Sequence, residues 1–230
     1  YKIKHSSKNN IKNSIYALPE ISKKKLKNYK IISCPGCYPT SMLLPLLPLI
    51  KPNLIKLNNI IIDSKSGYSG AGRSVHKKYA NKNLYESLSA YGVGFHRHNS
   101  EIQQELNNYS KKNIKFTFTP HLIPMFRGIL STIYLDVENG INIKDINSKL
   151  KNFYKKDPFV KILPINSHIS TNDVINTNYC HISVCKSKYR NKLIILSAID
   201  NLIKGGAGQA VQNLNYYFGY NVKKGLVWKI

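Results

Sequence analysis

The chain has 230 residues, enough for one large domain or two small ones, and its net charge is +24, from 35 basic and 11 acidic side chains. Its lysines are scattered and lack the interleaved aromatic residues of a base-stacking surface, which argues against nucleic acid as a partner. Its 4 cysteines are too few for a disulfide scaffold and lack the spacing of a zinc site, and no apolar run is long enough to span a membrane. We therefore predict a cytoplasmic protein without a metal, a membrane partner or a nucleic-acid partner.

Residues 1–28 are polar apart from one apolar island at residues 14–21, and we predict that they form connecting structure. A short strand around Ile31 and Ile32 follows, and it stops at a tight Pro-Gly turn. The turn leads directly to the first chemically distinctive residue of the chain.

That residue is Cys37, which precedes an apolar segment that Pro39 and Thr40 open and that has the length of a buried helix. Unpaired N–H groups and the helix dipole favour a thiolate at such a position, so the pattern favours a nucleophile with a lowered pKa. The alternative is a small buried apolar residue, as most free cysteines are. Cys34 completes a C-x-x-C spacing, but nothing upstream supplies the βαβ unit of a thioredoxin-like protein.

An apolar run at residues 59–64 predicts a buried strand, and it ends in a glycine-rich loop at residues 65–74. Glycines let backbone N–H groups approach an anion, and Arg73 can bind a phosphate or carboxylate through two parallel hydrogen bonds. An ordinary turn is the alternative for so common a pattern.

Ser100 and Gln103 form a capping-box pattern, which predicts that a helix starts at Ser100. His96 and His98 flank an arginine just before this helix, and alternate residues of an extended segment face the same side. We therefore expect both histidines in one cleft, where imidazole can move protons near neutral pH.

The rest of the chain predicts many strands and few helices, which is typical of an α+β domain with a mostly antiparallel sheet. Two strands are predicted within residues 116–137, separated by a loop that ends near Arg127, and further strands at residues 159–163, 181–185 and 192–199. Helices are predicted at residues 143–154 and after the glycines of residues 205–208, the last with apolar residues along one face.

Five segments resemble, in order and approximate spacing, the N-acetyl-gamma-glutamyl-phosphate reductase family: CPGCYPT, SKSGYSGAGR, HRHNSEIQQEL, FTPHLIPMFRGILSTIY and DNLIKGGAGQAVQN. Each segment alone is a weak signal, but five in one order are specific, and the resemblance runs from about Ser14 to the end. It implies a Rossmann nucleotide domain and an α+β catalytic domain with a mixed, mostly antiparallel sheet.

The resemblance implies a division of the chain into three parts. Residues 1–36 would be a remnant of the Rossmann domain and a linker, residues 37–199 the catalytic and dimerisation domain, and residues 200–230 a helix that packs back on the nucleotide domain. A further piece of the Rossmann domain, roughly 100–150 residues long, would precede Tyr1. The family also implies a homo-oligomer, either a dimer or a tetramer.

The implied activity is the reduction of N-acetyl-L-glutamyl 5-phosphate to the semialdehyde by NADPH, through a cysteine thioester, in arginine biosynthesis. The alternatives are a similar reductase for a carrier-bound aminoadipyl phosphate in lysine biosynthesis, and an inactive relic that persists as a basic binding module.

The resemblance also assigns roles to individual residues. The nucleophile falls on Cys37, and the acid/base residue on His98, with His96 as second choice. The substrate-binding positions are Arg73, Ser69 and Arg127, and the cofactor-binding positions are Asn201 and Gly67. One departure stands out, since the family's usual asparagine three residues before the nucleophile is replaced by Cys34.

Overall fold

The computed structural model describes residues 5–74 and 86–227. The α-helices within these ranges are α1 (Pro19–Ser22), α2 (Cys37–Ile50), α3 (Asn99–Ser110), α4 (Ile143–Tyr154) and α5 (Gly208–Phe218). The strands are β1 (Ser14–Tyr16), β2 (Ile31–Ser33), β3 (Ile60–Ser66), β4 (Ser89–Ala90), β5 (Phe116–Leu122), β6 (Ile129–Asp136), β7 (Val160–Ile162), β8 (Cys180–Lys186) and β9 (Lys192–Ile199).

Seven strands form one sheet in the order β4-β5-β3-β6-β9-β8-β7. The pairs β3–β5 and β7–β8 are parallel, and the other neighbouring pairs are antiparallel. This arrangement confirms the predicted α+β fold with a mixed, mostly antiparallel sheet. The strands and helices predicted beyond residue 115 all form close to their expected positions.

Helix α2 is the centre of the hydrophobic core, and it packs on β6 and β9 and against α3 and α4. Every residue from Tyr38 to Ile50 is buried. The facing strand residues Ile62, Ile133 and Ile195 are fully buried too. Because each such side chain contributes roughly 1.5–3 kcal/mol when it leaves water, this packing holds the first turn of α2 in a fixed place.

The prediction of connecting structure before residue 29 is wrong for residues 14–16. These residues form β1, which pairs in parallel with β2 as a small separate sheet, with Ile15 opposite Ile32. The pairing joins Ser14 to Ile31 across an intervening helical segment, which a local periodicity does not reveal. Ile31 of β2 remains 46% exposed.

Helix α3 confirms the helix predicted near residue 100, but the predicted capping box is wrong. The helix begins at Asn99 after His98, which caps it without a side-chain hydrogen bond. The hydroxyl of Ser100 instead donates to the carbonyl oxygen of Arg97. The chain enters this helix from a turn, so that His98 already has helical backbone angles and Ser100 lies inside the first turn.

Helix α5 buries its polar face and exposes its apolar face. The buried polar side chains are Gln209, Gln212, Asn213 and Asn215. The exposed apolar side chains are Val211, Leu214 and Phe218, with exposed fractions of 37%, 47% and 60%. The hydrophobic effect drives such a face to be covered. Within the described residues, no helix is both long and apolar enough to cross a membrane.

Candidate active site

Cys37 is the first residue of α2, as predicted, and no side chain caps this end of the helix. A later segment of the chain packs directly against it, because a Cβ added at Gly205 would lie 2.6 Å from the Cβ of Cys37. Only glycine allows this approach. The turn that carries the thiol is therefore supported by the last third of the chain as well as by its own helix.

His98 lies over the same turn. A Cβ added at Gly36 would come within 2.5 Å of the Nε2 atom of His98. The imidazole is 5% exposed, and its Nδ1 atom has no hydrogen-bond partner among the described residues. The backbone N–H of His98 donates to Nδ1 of His96 at 3.2 Å, and the two ring centroids are 4.8 Å apart.

Cys37 and both histidines line one cavity of about 350 Å³. The prediction that the two histidines share a cleft is therefore confirmed, although they lie on a turn rather than on an extended segment. Arg97 and Tyr38 line the same cavity, and the sequence reasoning gave neither of them a role. Both were adjacent in sequence to predicted catalytic residues, which was the only signal available.

Burial is the main cause of the shifted pKa values of Cys37, His96 and His98 in this cavity. Desolvation raises the pKa of Cys37 to about 11, although backbone N–H groups and the charge of Arg97 act to lower it. Desolvation and Arg97 together lower the pKa of His98 to about 4, and desolvation followed by the charges of His98 and Arg97 lowers that of His96 to about 4. The expected lowering of the thiol pKa is thus wrong in this structure, because desolvation outweighs the helix N-terminus.

Tyr38 connects the helix that begins at Cys37 to the two histidines. Its ring lies edge-on to His96 and His98, at centroid distances of 5.4 and 5.9 Å. Its hydroxyl accepts a 3.0 Å hydrogen bond from the hydroxyl of Tyr91. Burial raises the pKa of Tyr38 far above its ordinary value, so this phenol stays neutral and holds the cavity wall.

Asn201 joins two loops near the site. Its side-chain oxygen accepts from the backbone N–H of Gly128 at 2.7 Å, and its Nδ2 donates to the hydroxyl of Ser69 at 3.0 Å. Asn201 and Ser69 lie next to the cavity rather than in its lining. Gly67 does line it, and a Cβ there would lie 2.5 Å from the carbonyl oxygen of Phe126, so loop packing alone already requires glycine.

Arg127 lies away from the cavity lining. Its Nη1 donates to the side-chain oxygen of Asn176, and its Nε is 3.5 Å from a carboxylate oxygen of the fully buried Asp200. Arg73 lies in the short 3-10 helix Tyr68–Ser74, and its side chain falls outside the described residues. The substrate-binding roles of both arginines stay predictions.

A thiol at a helix N-terminus, two neutral imidazoles and one guanidinium around a single cavity can carry out nucleophilic attack on an acyl group with proton transfer. The fold and site thus define an α+β domain with a thiol–imidazole centre. The sequence model described as semialdehyde dehydrogenase, dimerisation domain, matches residues 37–201. The chain belongs to this family.

Relatives with known names agree with this assignment. The chain is 48% identical over 213 residues to an N-acetyl-gamma-glutamyl-phosphate reductase of Clostridium kluyveri, an alignment that covers 93% of this chain and 62% of that protein. It is 43% identical over 226 residues to the reductase of the same name from Clostridium novyi, covering 98% of this chain and 65% of that protein. The chain therefore spans less than two thirds of the length of these relatives.

The fold also matches a solved structure. Aspartate semialdehyde dehydrogenase II from Vibrio cholerae superimposes with a TM-score of 0.71 at 15% sequence identity, over 90% of this chain and 69% of that one. At this identity the likeness concerns the fold alone.

Proposed function

We propose that this chain is the catalytic part of an NADPH-dependent N-acetyl-gamma-glutamyl-phosphate reductase, which converts N-acetyl-L-glutamyl 5-phosphate to N-acetyl-L-glutamate 5-semialdehyde in arginine biosynthesis. The observation that carries this proposal is the placement of Cys37, His96 and His98 around one cavity. A thiolate is a strong nucleophile and phosphate is a good leaving group, so this centre suits an acyl phosphate. The names of the relatives supply the identity of the acyl group.

The first chemical step is acyl transfer to Cys37. The sulfur forms a bond to the acyl carbon while the bond from that carbon to the phosphate oxygen breaks, so inorganic phosphate leaves and a thioester remains. Because the pKa of Cys37 is about 11, the thiol proton needs a base in the cavity. His98 is neutral at pH 7, since its pKa is lowered to about 4, and its Nδ1 has no partner among the described residues. We assign the proton to His98, with His96 as second choice.

The second step reduces the acyl group to the aldehyde. NADPH, when bound, supplies the hydride for this reduction. The chain's own residues hold the acyl carbon on the Cys37 sulfur, beside the buried imidazole of His98. The proton that His98 took in the first step returns to the sulfur as the aldehyde leaves, which restores the resting thiol.

The described residues fit only the nicotinamide end of this cofactor. Gly67 and Gly70 line the cavity without side chains, and a Cβ at Gly70 would lie 3.7 Å from Nδ2 of Asn201. The Nδ2 atom of Asn201 carries two hydrogens and its bond to Ser69 uses one, so the other can donate to the carboxamide of a nicotinamide ring. We therefore keep Asn201 and Gly67 as proposed cofactor contacts.

Substrate binding is assigned to Arg73, Ser69 and Arg127. A guanidinium matches the geometry of a phosphate or carboxylate. Arg127 would exchange its bond to Asn176 for a bond to the ligand while its Nε stays near Asp200. Arg97, which lines the cavity, adds positive charge close to the reacting thiol.

Two exposed surfaces support the proposed domain arrangement, with residues 1–36 as a Rossmann remnant, 37–199 as the catalytic domain and 200–230 as the returning helix. The apolar face of α5 is exposed, and the parallel pair β1–β2 stands apart from the large sheet. Two strands alone are marginally stable, and parallel strands are usually covered on both faces. We propose that a nucleotide-binding domain covers both surfaces. The homo-oligomer, dimer or tetramer, and the cytoplasmic location also remain proposals.

The acyl-transfer step tests this function without the cofactor. The 230-residue chain is mixed with N-acetyl-L-glutamyl 5-phosphate, and intact mass spectrometry follows the covalent acyl adduct while a colorimetric assay follows phosphate release. We expect an adduct on Cys37 in the unchanged chain, none in Cys37→Ser, and at least about half the rate in Cys34→Ser, because Cys34 is outside the cavity lining. An adduct that survives Cys37→Ser but disappears in Cys34→Ser would contradict the assignment.

A further inference from the structure

We propose that Phe95 determines the specificity of the site for the acylated amino group of the substrate, because its ring packs on the acetamido group. The proposal rests on the proposed function and assigns a residue to the end of the substrate that lies away from Cys37. Phe95 lines the same cavity as Cys37 and His98. It is 93% exposed, the largest exposed fraction among the large apolar side chains in the described part of the chain.

The other large apolar side chains of the cavity lining are covered by the protein to a greater extent. Tyr38 is 2% exposed and Leu122 is 7% exposed, and Tyr91 is partly buried. Phe95 adds almost nothing to the hydrophobic core, so its apolar surface is available to a ligand that enters the cavity. Burial of such surface favours binding, and ligand cavities are typically lined by aromatic side chains of this kind.

A tight turn presents the ring of Phe95. The backbone N–H of Phe95 donates to the carbonyl oxygen of Gly92 at 3.0 Å. Nδ2 of Asn99 donates to the carbonyl oxygen of Gly94 at 3.1 Å. Gly92 and Gly94 have φ angles of +58° and +75°, which glycine adopts without strain. The backbone beside Phe95 is thus held in place, so that contact with a ligand costs little additional ordering of the chain.

The cavity lining alternates between buried and exposed residues before α3. His98 is buried and His96 is partly buried. Phe95 and Arg97, each one position earlier in the chain, are exposed and form the rim of the cavity. The groups proposed for proton transfer therefore lie inside, and one aromatic ring and one guanidinium lie at the entrance.

The proposed substrate matches this division. Its acyl carbon must reach the sulfur of Cys37, and two methylene groups separate that carbon from the one that bears the acetamido and carboxylate groups. These two groups therefore lie towards the rim. The acetamido group offers a methyl group and a flat amide face to an aromatic ring, whereas a carboxylate would lose hydration against the ring without a compensating bond. The acetamido group is thus the one that suits Phe95.

The bland alternative is that Phe95 contacts another part of the protein or a second copy of it, and not the substrate. That role predicts equal effects on substrates with and without the acetamido group. Glutaryl phosphate is the matched probe, because it keeps the acyl phosphate, the carbon chain and the carboxylate and lacks only the acetamido group. The matched control variant is Val93→Ala, since Val93 is 56% exposed on the same turn but lies outside the cavity lining.

The first readout is the rate at which each acyl phosphate acylates Cys37 in the 230-residue chain. Phe95→Ala should slow acylation by N-acetyl-L-glutamyl 5-phosphate by about five- to tenfold, and it should change the rate with glutaryl phosphate by less than about twofold. Phe95→Tyr keeps the ring and should retain the preference of the unchanged chain. Val93→Ala should match the unchanged chain with both compounds.

The second readout does not require acylation. N-acetyl-L-glutamate and glutarate, added separately, should each protect Cys37 from alkylation by iodoacetamide, because each occupies the cavity. Phe95→Ala should raise the concentration of N-acetyl-L-glutamate needed for half protection by about five- to tenfold. The concentration of glutarate needed for half protection should change by less than about twofold.

Two kinds of failure are distinguishable. Equal changes with the two acyl phosphates, or no change with either, would overturn the specificity role of Phe95. If even the unchanged chain forms no acyl adduct, the proposed function fails, and the protection experiment then decides the role of Phe95. Equal changes for N-acetyl-L-glutamate and glutarate, or no protection by N-acetyl-L-glutamate, would overturn that role as well.

Discussion

Two regions of this molecule that bury polar side chains differ in how far those side chains bind one another. The first region, the α5 clasp, consists of Glu20, Lys204, Gln212 and Asn178. The ammonium of the fully buried Lys204 lies 2.5 Å from a carboxylate oxygen of Glu20 and donates to the side-chain oxygen of Gln212 at 2.8 Å. Asn178 donates to the same oxygen at 2.9 Å. Most polar atoms here bind one another, although Oε2 of Glu20 and Oδ1 of Asn178 have no hydrogen-bond partner among the described residues.

The second region is the cavity beside Cys37. His98 is 5% exposed, yet its Nδ1 has no hydrogen-bond partner among the described residues, and desolvation is the main cause of the shifted pKa values of His98 and Cys37. A buried polar group without a partner destabilises the fold. The clasp therefore uses most of its donors and acceptors within the protein, whereas the cavity leaves Nδ1 of His98 available for a ligand.

Among the variants that test this comparison, we expect the largest loss of stability from Lys204→Met. The substitution leaves the buried carboxylate of Glu20 without its cation, so we expect a loss of about 3–5 kcal/mol in the free energy of unfolding, measured by urea denaturation. The double variant Glu20→Met/Lys204→Met should recover most of this loss, because it leaves no unpaired charge. A single-variant loss below about 1 kcal/mol would mean that the buried carboxylate of Glu20 does not depend on Lys204 for its compensation.

A smaller effect is expected from Gly36→Ala. The added Cβ would lie 2.5 Å from Nε2 of His98, so either the ring or the turn must move, at about 1–3 kcal/mol in unfolding free energy. In a His98→Ala background the same substitution should be nearly neutral, since the clashing ring is gone. A double-mutant cycle without such coupling would argue against the packing of His98 on this turn.

Acidification should lower the free energy of unfolding through the buried imidazole of His98. The pKa of His98 is about 4 in the folded chain and 6.5 ordinarily, so the unfolded chain binds more protons between these values. The stability that follows from the neutral imidazole is therefore present above pH 6.5 and is lost as the pH falls towards 4, by about 2 kcal/mol at pH 5.

Urea unfolding at pH 7 and pH 5 measures this loss. His98→Gln should reduce the difference between the two pH values by about that amount, whereas His5→Gln, at an exposed position, should leave it unchanged. An identical pH dependence in His98→Gln and the unchanged chain would show that His98 is not the group that resists protonation.

The smallest effect concerns Arg97, whose charge acts to lower the pKa of Cys37. Because Arg97 is exposed, water screens this charge, and we expect Arg97→Gln to slow iodoacetamide alkylation at pH 8 by only about two- to threefold. Addition of about 0.5 M NaCl should narrow the difference between the two proteins. A difference that persists at high salt would indicate a role in packing rather than in electrostatics.

The sequence predicted the elements whose patterns are local. Cys37 at the start of a buried helix, the two strands around Arg127 and the helix at residues 143–154 all follow from short-range periodicity and turn residues. The two histidines were also correctly expected in one cleft, since their spacing and the following helix were visible.

The remaining features depend on contacts between distant segments. No local sequence pattern marks the pairing of β1 with β2. The same holds for the bonds of Glu101 to Gly36 and Tyr16, which lie 65 and 85 residues away. The pKa of Cys37 depends on how much of the chain surrounds the thiol, which a helix N-terminus alone does not reveal. The orientation of α5 was equally hidden, because two of its partners are the backbone carbonyl oxygens of Pro35 and Ala17, 174 and 196 residues away.

Those contacts bear on how the protein is made. Gln209 donates to the carbonyl oxygen of Pro35, and Asn213 to that of Ala17, across 174 and 196 residues of sequence. A ribosome delivers the segment around Cys37 well before α5, so the turn that carries the thiol waits for these contacts until α5 has been made. Contacts of such long sequence separation also slow folding. The turn that carries Cys37 is therefore made well before the helix that completes its support.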